Sequence, residues 1–217
     1  MARMILKPSR EGDIPIKGVI FDMDGTLCLP QTWMFKKMRE ALGISKGVDI
    51  LDHVHSLPSE EQAEAHRKLE DIERKAMVEM QAQPGLRTLM DFLGDLGLPK
   101  TICTRNFPIP VNHLLTNFLD GHEFSPLITR EFKPPKPSPD GILHIAQNWG
   151  IDPKYLIMVG DSVDDMLAGH RAGAATVLLQ SDVNTHLNDT TETDVVIHRL
   201  DELVDMIHNG FTIERPL

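Results

Sequence analysis

The apolar run Gly18-Val19-Ile20-Phe21 reads as a short strand, and it leads directly into two acids spaced i, i+2, Asp22 and Asp24. A buried parallel strand delivers the residues after it to the carboxyl edge of a sheet. These carboxylates are therefore expected on a tight loop, with Gly25 permitting the turn. The period then changes. Thr32 can cap a helix in which Phe35, Met38 and Leu42 share one face and Gly43 is placed to end it. A polar connection runs from Ser45 to Pro58, containing His53 and His55, which read as solvated loop residues in the absence of a nearby third metal ligand. Ser59 and Gln62 have capping-box spacing, and Ala65, Leu69, Ile72, Ala76 and Met80 mark one stripe of a long helix reaching about Gln83. No strand pattern interrupts before Pro84-Gly85, so this stretch predicts an all-helical insertion.

From Leu86 onward helix and strand alternate. Leu86, Leu89, Met90, Leu93 and Leu96 form an amphipathic helix stopped by Gly97, and Lys100 to Thr104 reads as the next strand. Val111 to Phe118 predicts a helix, Leu127 to Thr129 a strand, and Ser138-Pro139 the capped start of a helix whose core face holds Ile142, Ile145, Ala146 and Trp149. Tyr155 to Val159 is a strongly apolar strand that ends in Gly160-Asp161-Ser162. Ser162 is placed to cap a helix that carries Met166, Leu167 and His170 and runs to Gly173. Ala175 to Leu179 and Val195 to Ile197 are the last predicted strands, and Leu200, Leu203, Val204 and Ile207 line a closing helix. Alternation of this kind predicts an α/β fold with a parallel, doubly wound sheet and right-handed crossovers.

Composition narrows the function classes. The 217 residues carry a net charge of -10 with no basic run and no aromatic interleaving, which argues against a nucleic-acid surface. No apolar run reaches the ~18 to 20 residues needed to span a bilayer, and Met1 to Arg10 lacks the apolar core of a secretory signal. A soluble cytoplasmic protein is expected. The acid-free first ten residues, with Arg3, Lys7 and Arg10, read as a frayed terminus, with an organelle presequence left open. Cys28 and Cys103 are too few for a disulfide framework and fit a reducing compartment. The amphipathic stripes do not distinguish a core contact from a partner contact, so they set no oligomeric state.

Candidate chemistry gathers at the predicted strand ends. Two carboxylates as close as Asp22 and Asp24 repel each other unless a cation sits between them or one takes a proton; the alternative is an ordinary acidic turn. Thr104, followed by Arg105 and Asn106, offers a hydroxyl and turn amides. Lys136, in Lys136-Pro137-Ser138-Pro139, places a cation before a helix start, and Asp161 and Asp165 bracket Ser162 at the start of another. Each has a plain structural alternative: a polar strand end, a solvated charge, helix N-terminal acids.

In order, Asp22-x-Asp24-Gly25-Thr26, Thr104, Lys136 and Gly160-Asp161-Ser162-x-x-Asp165 resemble the four motifs of the haloacid dehalogenase-like hydrolase superfamily. The resemblance, which covers about Lys17 to Leu179, implies a Rossmann-like core formed by residues 1–28 and 84–217. Residues 29–83 would form a small helical cap of the phosphatase type, with the Asp22 strand beside the Gly160 strand. It also implies a magnesium ion held by the carboxylates of Asp22 and Asp161, by the Asp24 backbone carbonyl, and by Asp165 mainly through water; an all-oxygen set suits that ion. By the same resemblance Asp22 is the nucleophile that forms an aspartyl-phosphate. Asp24 is the general acid and base, which requires its pKa to be held above that of Asp22. Thr104, Lys136 and the amides near Asp24 and Arg105 stabilise the transferring phosphoryl group, and Gly25, Thr26, Arg105 and Asn106 contact substrate. Lys136 is preferred over Lys133 because Lys-Pro-x-Pro matches the family. Asp24 favours phosphate-ester chemistry over dehalogenation. A small soluble phosphate ester is the expected substrate. The alternatives are a phosphomutase acting on a sugar phosphate and a catalytically idle binding protein on the same fold. In the insertion, Trp33 and Phe35 are the aromatics, and Lys36, Lys37 and Arg39 are helix charges able to meet a second anionic group. Cys28 and Cys103 flank the motifs and are weighed as oxidation sensors against ordinary burial.

Overall fold

The computed structural model describes residues 2–215, apart from the side chain of Thr32. The chain divides into two compact units, residues 1–29 with 82–217, and residues 30–81.

The larger unit is built on a five-stranded parallel sheet. Its strands are β3 (Gly18–Phe21), β4 (Lys100–Ile102), β5 (Leu156–Gly160), β6 (Ala175–Leu179) and β7 (Val195–Ile197), in the order β4-β3-β5-β6-β7. Every residue of β3, β5 and β6 is buried. That is why these strands read as apolar runs, broken only by Thr176, whose hydroxyl donates to Glu192 O: helices cover both faces of a parallel sheet and leave no polar side. The register pairs Phe21 with Val159 on one side and with Ile102 on the other, so the residues just past all three strands emerge at one edge. The helices of this unit are α4 (Leu86–Asp95), α5 (Pro108–Phe118), α6 (Asp140–Trp149), α7 (Val163–Ala172) and α8 (Glu202–Asn209). On one face Ile142, Ile145 and Ala146 of α6 pack with Ile20, Leu156, Met158 and Ala168, and Trp149 closes the cluster, as the i, i+3, i+4 spacing predicts.

A second sheet, which the hydrophobic pattern does not predict, joins β1 (Ala2–Ile5) to β2 (Asp13–Pro15) in parallel and to β8 (Phe211–Ile213) antiparallel. The first residues are thus a strand and not a frayed terminus. Met4 is fully buried, Leu6 N donates to Ile207 O at 3.0 Å and Arg3 Nη2 donates to Asn209 O at 2.6 Å. Near the C-terminus Arg215 makes a bidentate contact with Asp194, its Nε and Nη2 lying 2.9 and 2.8 Å from the two carboxylate oxygens.

The smaller unit is helical: α1 (Thr32–Leu42), α2 (Ile50–Ser56) and α3 (Ser59–Glu79). Met34 and Met38 of α1, Ile50 and Val54 of α2, and Ala65, Leu69 and Ala76 of α3 are buried, and Gln31 Nε2 donates to Ala76 O at 2.6 Å. Lys36 and Lys37 pair with Glu40 on the surface of α1, while Trp33, Phe35 and Arg39 line a cavity of about 870 Å3.

Several boundaries differ from those the sequence predicts. Helix α1 begins at Thr32, with Gln31 preceding it, and the Thr32 side chain lies outside the described residues. The polar connection contains α2, so His53 and His55 are helical; Asp49 caps it by accepting from Leu51 N and Asp52 N. The Ser59–Gln62 capping box does not form, because Gln62 Nε2 instead donates to Leu57 O at 2.7 Å. The expected strand at Leu127–Thr129 reduces to a single bridge between Cys103 and Ile128. Helix α6 starts at Asp140, after Pro139, with Ser138 Oγ bonded to the Asp140 carboxylate. No helix among the described residues is long and apolar enough to cross a membrane.

Candidate active site

Asp22 continues the β3 ladder, its N–H donating to Val159 O at 2.9 Å, and the chain then turns sharply. Thr26, Leu27 and Cys28 all direct their N–H groups at Met23 O, at 3.2, 2.8 and 3.1 Å. The turn needs glycine at residue 25 twice over. Its φ is +83°, and a Cβ there would lie 2.0 Å from Asp161 Oδ2. The bare backbone of Gly25 is what lets the loop after β3 lie against the loop after β5. Gln83 Nε2 fastens the turn from the far side, donating to Gly25 O at 2.7 Å.

After β5 the chain enters α7 through a capping box. Asp165 Oδ2 accepts from Ser162 N at 3.0 Å and from Ser162 Oγ at 2.6 Å, while Asp165 N donates to Ser162 Oγ at 3.4 Å. Gly160 is required here, because a Cβ would lie 2.3 Å from that of Asp165. Asp161 is held through its backbone. Asn184 Nδ2 donates to Asp161 O at 2.7 Å and to Leu179 O at 3.0 Å, tying this loop to the end of β6.

Lys136 reaches into this edge and is buried. Its Nζ lies 2.7 Å from Asp22 Oδ1 and also bonds Asp165 Oδ1. Asp22, Asp161 and Asp165 each place a carboxylate oxygen within 4.8 Å of the others. Among the described residues no other group of three His, Cys, Asp or Glu is so arranged, and His53 and His55 belong to none. Lys133 is exposed and, among the described residues, no ion pair joins it to this cluster, so of the two lysines weighed it is Lys136 that meets the acids.

Electrostatics follow from crowding acids with few counter-charges. Burial, and then the charges of Asp22 and Asp165, push Asp161 up to about 8. Asp22 is raised by burial and by Asp165, against the opposing pull of Lys136. Burial also raises Asp24, which the hydrogen bond from Asn106 opposes. Burial alone would lower Lys136, but Asp165 and Asp22 more than offset it and hold the ammonium charged. An all-oxygen cluster in which acids must share protons is the donor set a hard divalent cation fits, and the buried Thr26 hydroxyl, which has no hydrogen-bond partner among the described residues, is a further unsatisfied polar atom in the same turn.

Thr104 is buried just beyond β4; its N–H donates to Ile128 O at 2.9 Å and its Oγ1 accepts from Asn106 N at 3.1 Å. The Asn106 side chain is occupied within the protein: Nδ2 donates to Asp24 Oδ2 at 2.6 Å and Oδ1 accepts from Phe107 N at 2.7 Å. Arg105 points its guanidinium at the Asp164 carboxylate and is about half exposed. Cys28 and Cys103 are both buried. Burial raises the Cys28 thiol and pushes Cys103 up to about 11, which opposes the thiolate an oxidation sensor requires.

Sequence reasoning overlooked two residues here, Gln83 and Asn184, and for Asn106, which it assigned to substrate, the partner Asp24. Gln83, Asn106 in its contact with Asp24, and Asn184 all act through partners distant along the chain; for Gln83 and Gly25 the separation is 58 residues, and for Asn106 and Asp24 it is 82. Only the proximity of Asn106 to Thr104 offered a signal.

The sequence profile of haloacid dehalogenase-like hydrolases matches residues 16–173, and the chain belongs to this family of hydrolases. It is 49% identical to an uncharacterised hydrolase of Saccharomyces cerevisiae over 200 residues, covering 89% of this chain and 92% of the yeast protein. A phosphoglycolate phosphatase of Chromobacterium violaceum is 30% identical over 225 residues, covering 90% of this chain and 98% of its own. Among solved structures, a predicted phosphoglycolate phosphatase of Haemophilus somnus superposes with a TM-score of 0.72 at 21% identity, over 88% of this chain and 97% of that one, a likeness of fold.

Proposed function

We propose that this hydrolase is a magnesium-dependent phosphatase that cleaves a small phosphate monoester through an aspartyl-phosphate on Asp22. The observation that carries the reading is the buried Lys136 bridging Asp22 and Asp165 beside Asp161. In this reading the carboxylates of Asp22 and Asp161 and the backbone carbonyl of Asp24 would hold the ion. Asp165, whose oxygens already serve Ser162 and Lys136, acts through water. When bound, magnesium supplies positive charge that lowers the Asp22 pKa and neutralises phosphoryl oxygens.

The residues of the chain then divide the work. A carboxylate oxygen of Asp22 forms a bond to phosphorus as the bond to the leaving oxygen breaks, and Asp24 gives that oxygen a proton. Water next attacks phosphorus, Asp24 takes the proton back, and the bond to Asp22 breaks to release phosphate. Burial raises both aspartates, so side chains alone do not separate nucleophile from acid; the positive charge of the ion that Asp22 would share in holding would favour its ionised form, and Asn106 fixes the carboxyl of Asp24. Lys136, Thr104 and the backbone amides near Asp24 and Arg105 hold the equatorial oxygens, where catalysis of phosphoryl transfer is chiefly electrostatic. Gly25 and Thr26 border the same oxygens. The helical unit acts as the cap that selects the leaving group, and the phosphoglycolate phosphatase relative supports a small anionic ester as substrate.

The test is phosphate release across a panel of phosphorylated metabolites with and without Mg2+, for the wild type and Asp22→Asn. Turnover that needs the ion and vanishes in the variant supports the reading. Isomerised sugar phosphate without free phosphate, or no turnover on any ester, overturns it.

A further inference from the structure

At the opposite end of β4 from Thr104, the larger unit contains a second cavity, of about 480 Å3. It opens where β4 begins, and its walls are divided in character: Leu98, Pro99 and Trp149 are apolar, whereas Lys100, His122 and Glu123 are polar. Lys100 is the telling residue. It is only 7% exposed, yet among the described residues its ammonium group makes no ion pair and no hydrogen bond. Its charged neighbour is Glu123, beyond ion-pair distance, and its Nζ lies 5.6 Å from the centroid of the Phe124 ring. A lysine is rarely this buried unless paired. His122 lines the same wall with a side chain 10% exposed, its buried Nε2 lying 3.2 Å from Asp91 Oδ1 and so turned to that carboxylate. Trp149 Nε1 is already engaged, donating to Ser125 O at 2.7 Å, so the indole presents its hydrocarbon surface.

We propose that this cavity is a binding site for a small monocarboxylate with an apolar body, its carboxylate on Lys100 and its body against Trp149, Leu98 and Pro99. A carboxylate there would give the ammonium a direct charge-assisted hydrogen bond, which neither Glu123 nor the Phe124 ring supplies. Glu123 at the rim, together with a net charge of -10, selects against multiply charged anions such as phosphate. None of these residues contributes to the Asp22 cluster, and the inference does not depend on the proposed phosphatase activity.

The experiment is a titration of the full chain with benzoate, followed by NMR at the Trp149 indole N–H, whose resonance is assigned by its loss in Trp149→Phe. Saturable shifts are expected, with affinity about tenfold or more weaker in Lys100→Met and in the polar variant Lys100→Gln, both checked by thermal melting. Undiminished affinity in the folded variants, a shift that never saturates, or displacement of benzoate by inorganic phosphate would overturn the proposal.

Discussion

Asn106 Nδ2 stands 2.6 Å from Asp24 Oδ2, and the same asparagine accepts from Phe107 N and donates its own N–H to Thr104 Oγ1. The carboxyl of Asp24 is thereby tied to the loop after β4, while its other oxygen accepts a weaker contact from Cys28 Sγ of its own turn at 3.9 Å. Asn106→Ala is expected to lower kcat by about ten- to a hundredfold, since small misplacements of a reacting group carry costs of that size. Because the lost hydrogen bond holds Asp24 down, its pKa should rise. Steady-state kinetics across pH should show the limb due to Asp24 displaced upward.

Lys136 neutralises two buried carboxylates at once. Lys136→Met is expected to reduce kcat by about a hundredfold to a thousandfold, comparable to losing one oxyanion donor. Its effect on stability has a definite sign. Asp22 is already raised by burial, and without the ammonium that opposes this it titrates higher still in the folded protein than in the unfolded chain. A carboxylate raised on folding withdraws stability as pH increases between the two pKa values. Urea titrations of the metal-free variant should therefore give a stability that falls from pH 5 to pH 8 by more than in the wild type.

Binding of magnesium should release protons. In the metal-free protein Asp161 is pushed up to about 8 and Asp22 is also raised, so below that range the cluster retains protons that a cation must displace. Affinity is expected to strengthen as pH rises from 6 to 8 and then level off. Calorimetry in two buffers of different ionisation enthalpy gives the proton count, and a heat independent of buffer would contradict the expectation.

Gly25→Ala is predicted to damage both fold and site. The added methyl meets Asp161 Oδ2 at 2.0 Å with φ at +83°, so the turn must retreat from the β5 loop. A cost of about 1–3 kcal/mol is expected. That corresponds to a melting temperature lower by roughly 2–12 °C in a chain of this size. Activity should fall more than this loss of stability explains, which thermal melting and kinetics on the same preparation can separate.

The strands that bear the cluster were readable because β3, β5 and β6 are covered on both faces and so spell nearly continuous apolar runs. Asp22, Lys136, Asp161 and Asp165 could be singled out because acids and a lysine follow strands or precede helices at fixed spacing. Other features left no such trace. Ala2–Ile5 and Phe211–Ile213 are too short and mixed to show a period; the first pairs with both Asp13–Pro15 and Phe211–Ile213, and the last becomes a strand through the first. Helix α2 buries only Ile50 and Val54, less than a stripe needs. Asn106 and Asn184 look like ordinary loop residues, since a side-chain amide does not reveal which distant carboxylate or carbonyl it will meet.

The pairing of β1 with β8 also bears on how the chain matures. Arg3 and Asn209, bonded in the finished molecule, are separated by 206 residues. During synthesis the first strand emerges from the ribosome long before its antiparallel neighbour exists, leaving Met4 and Ile5 without cover while the parallel sheet assembles. Closure of the small sheet thus belongs to the final stage of folding, and nascent chains halted before residue 211 should expose this edge to chaperones.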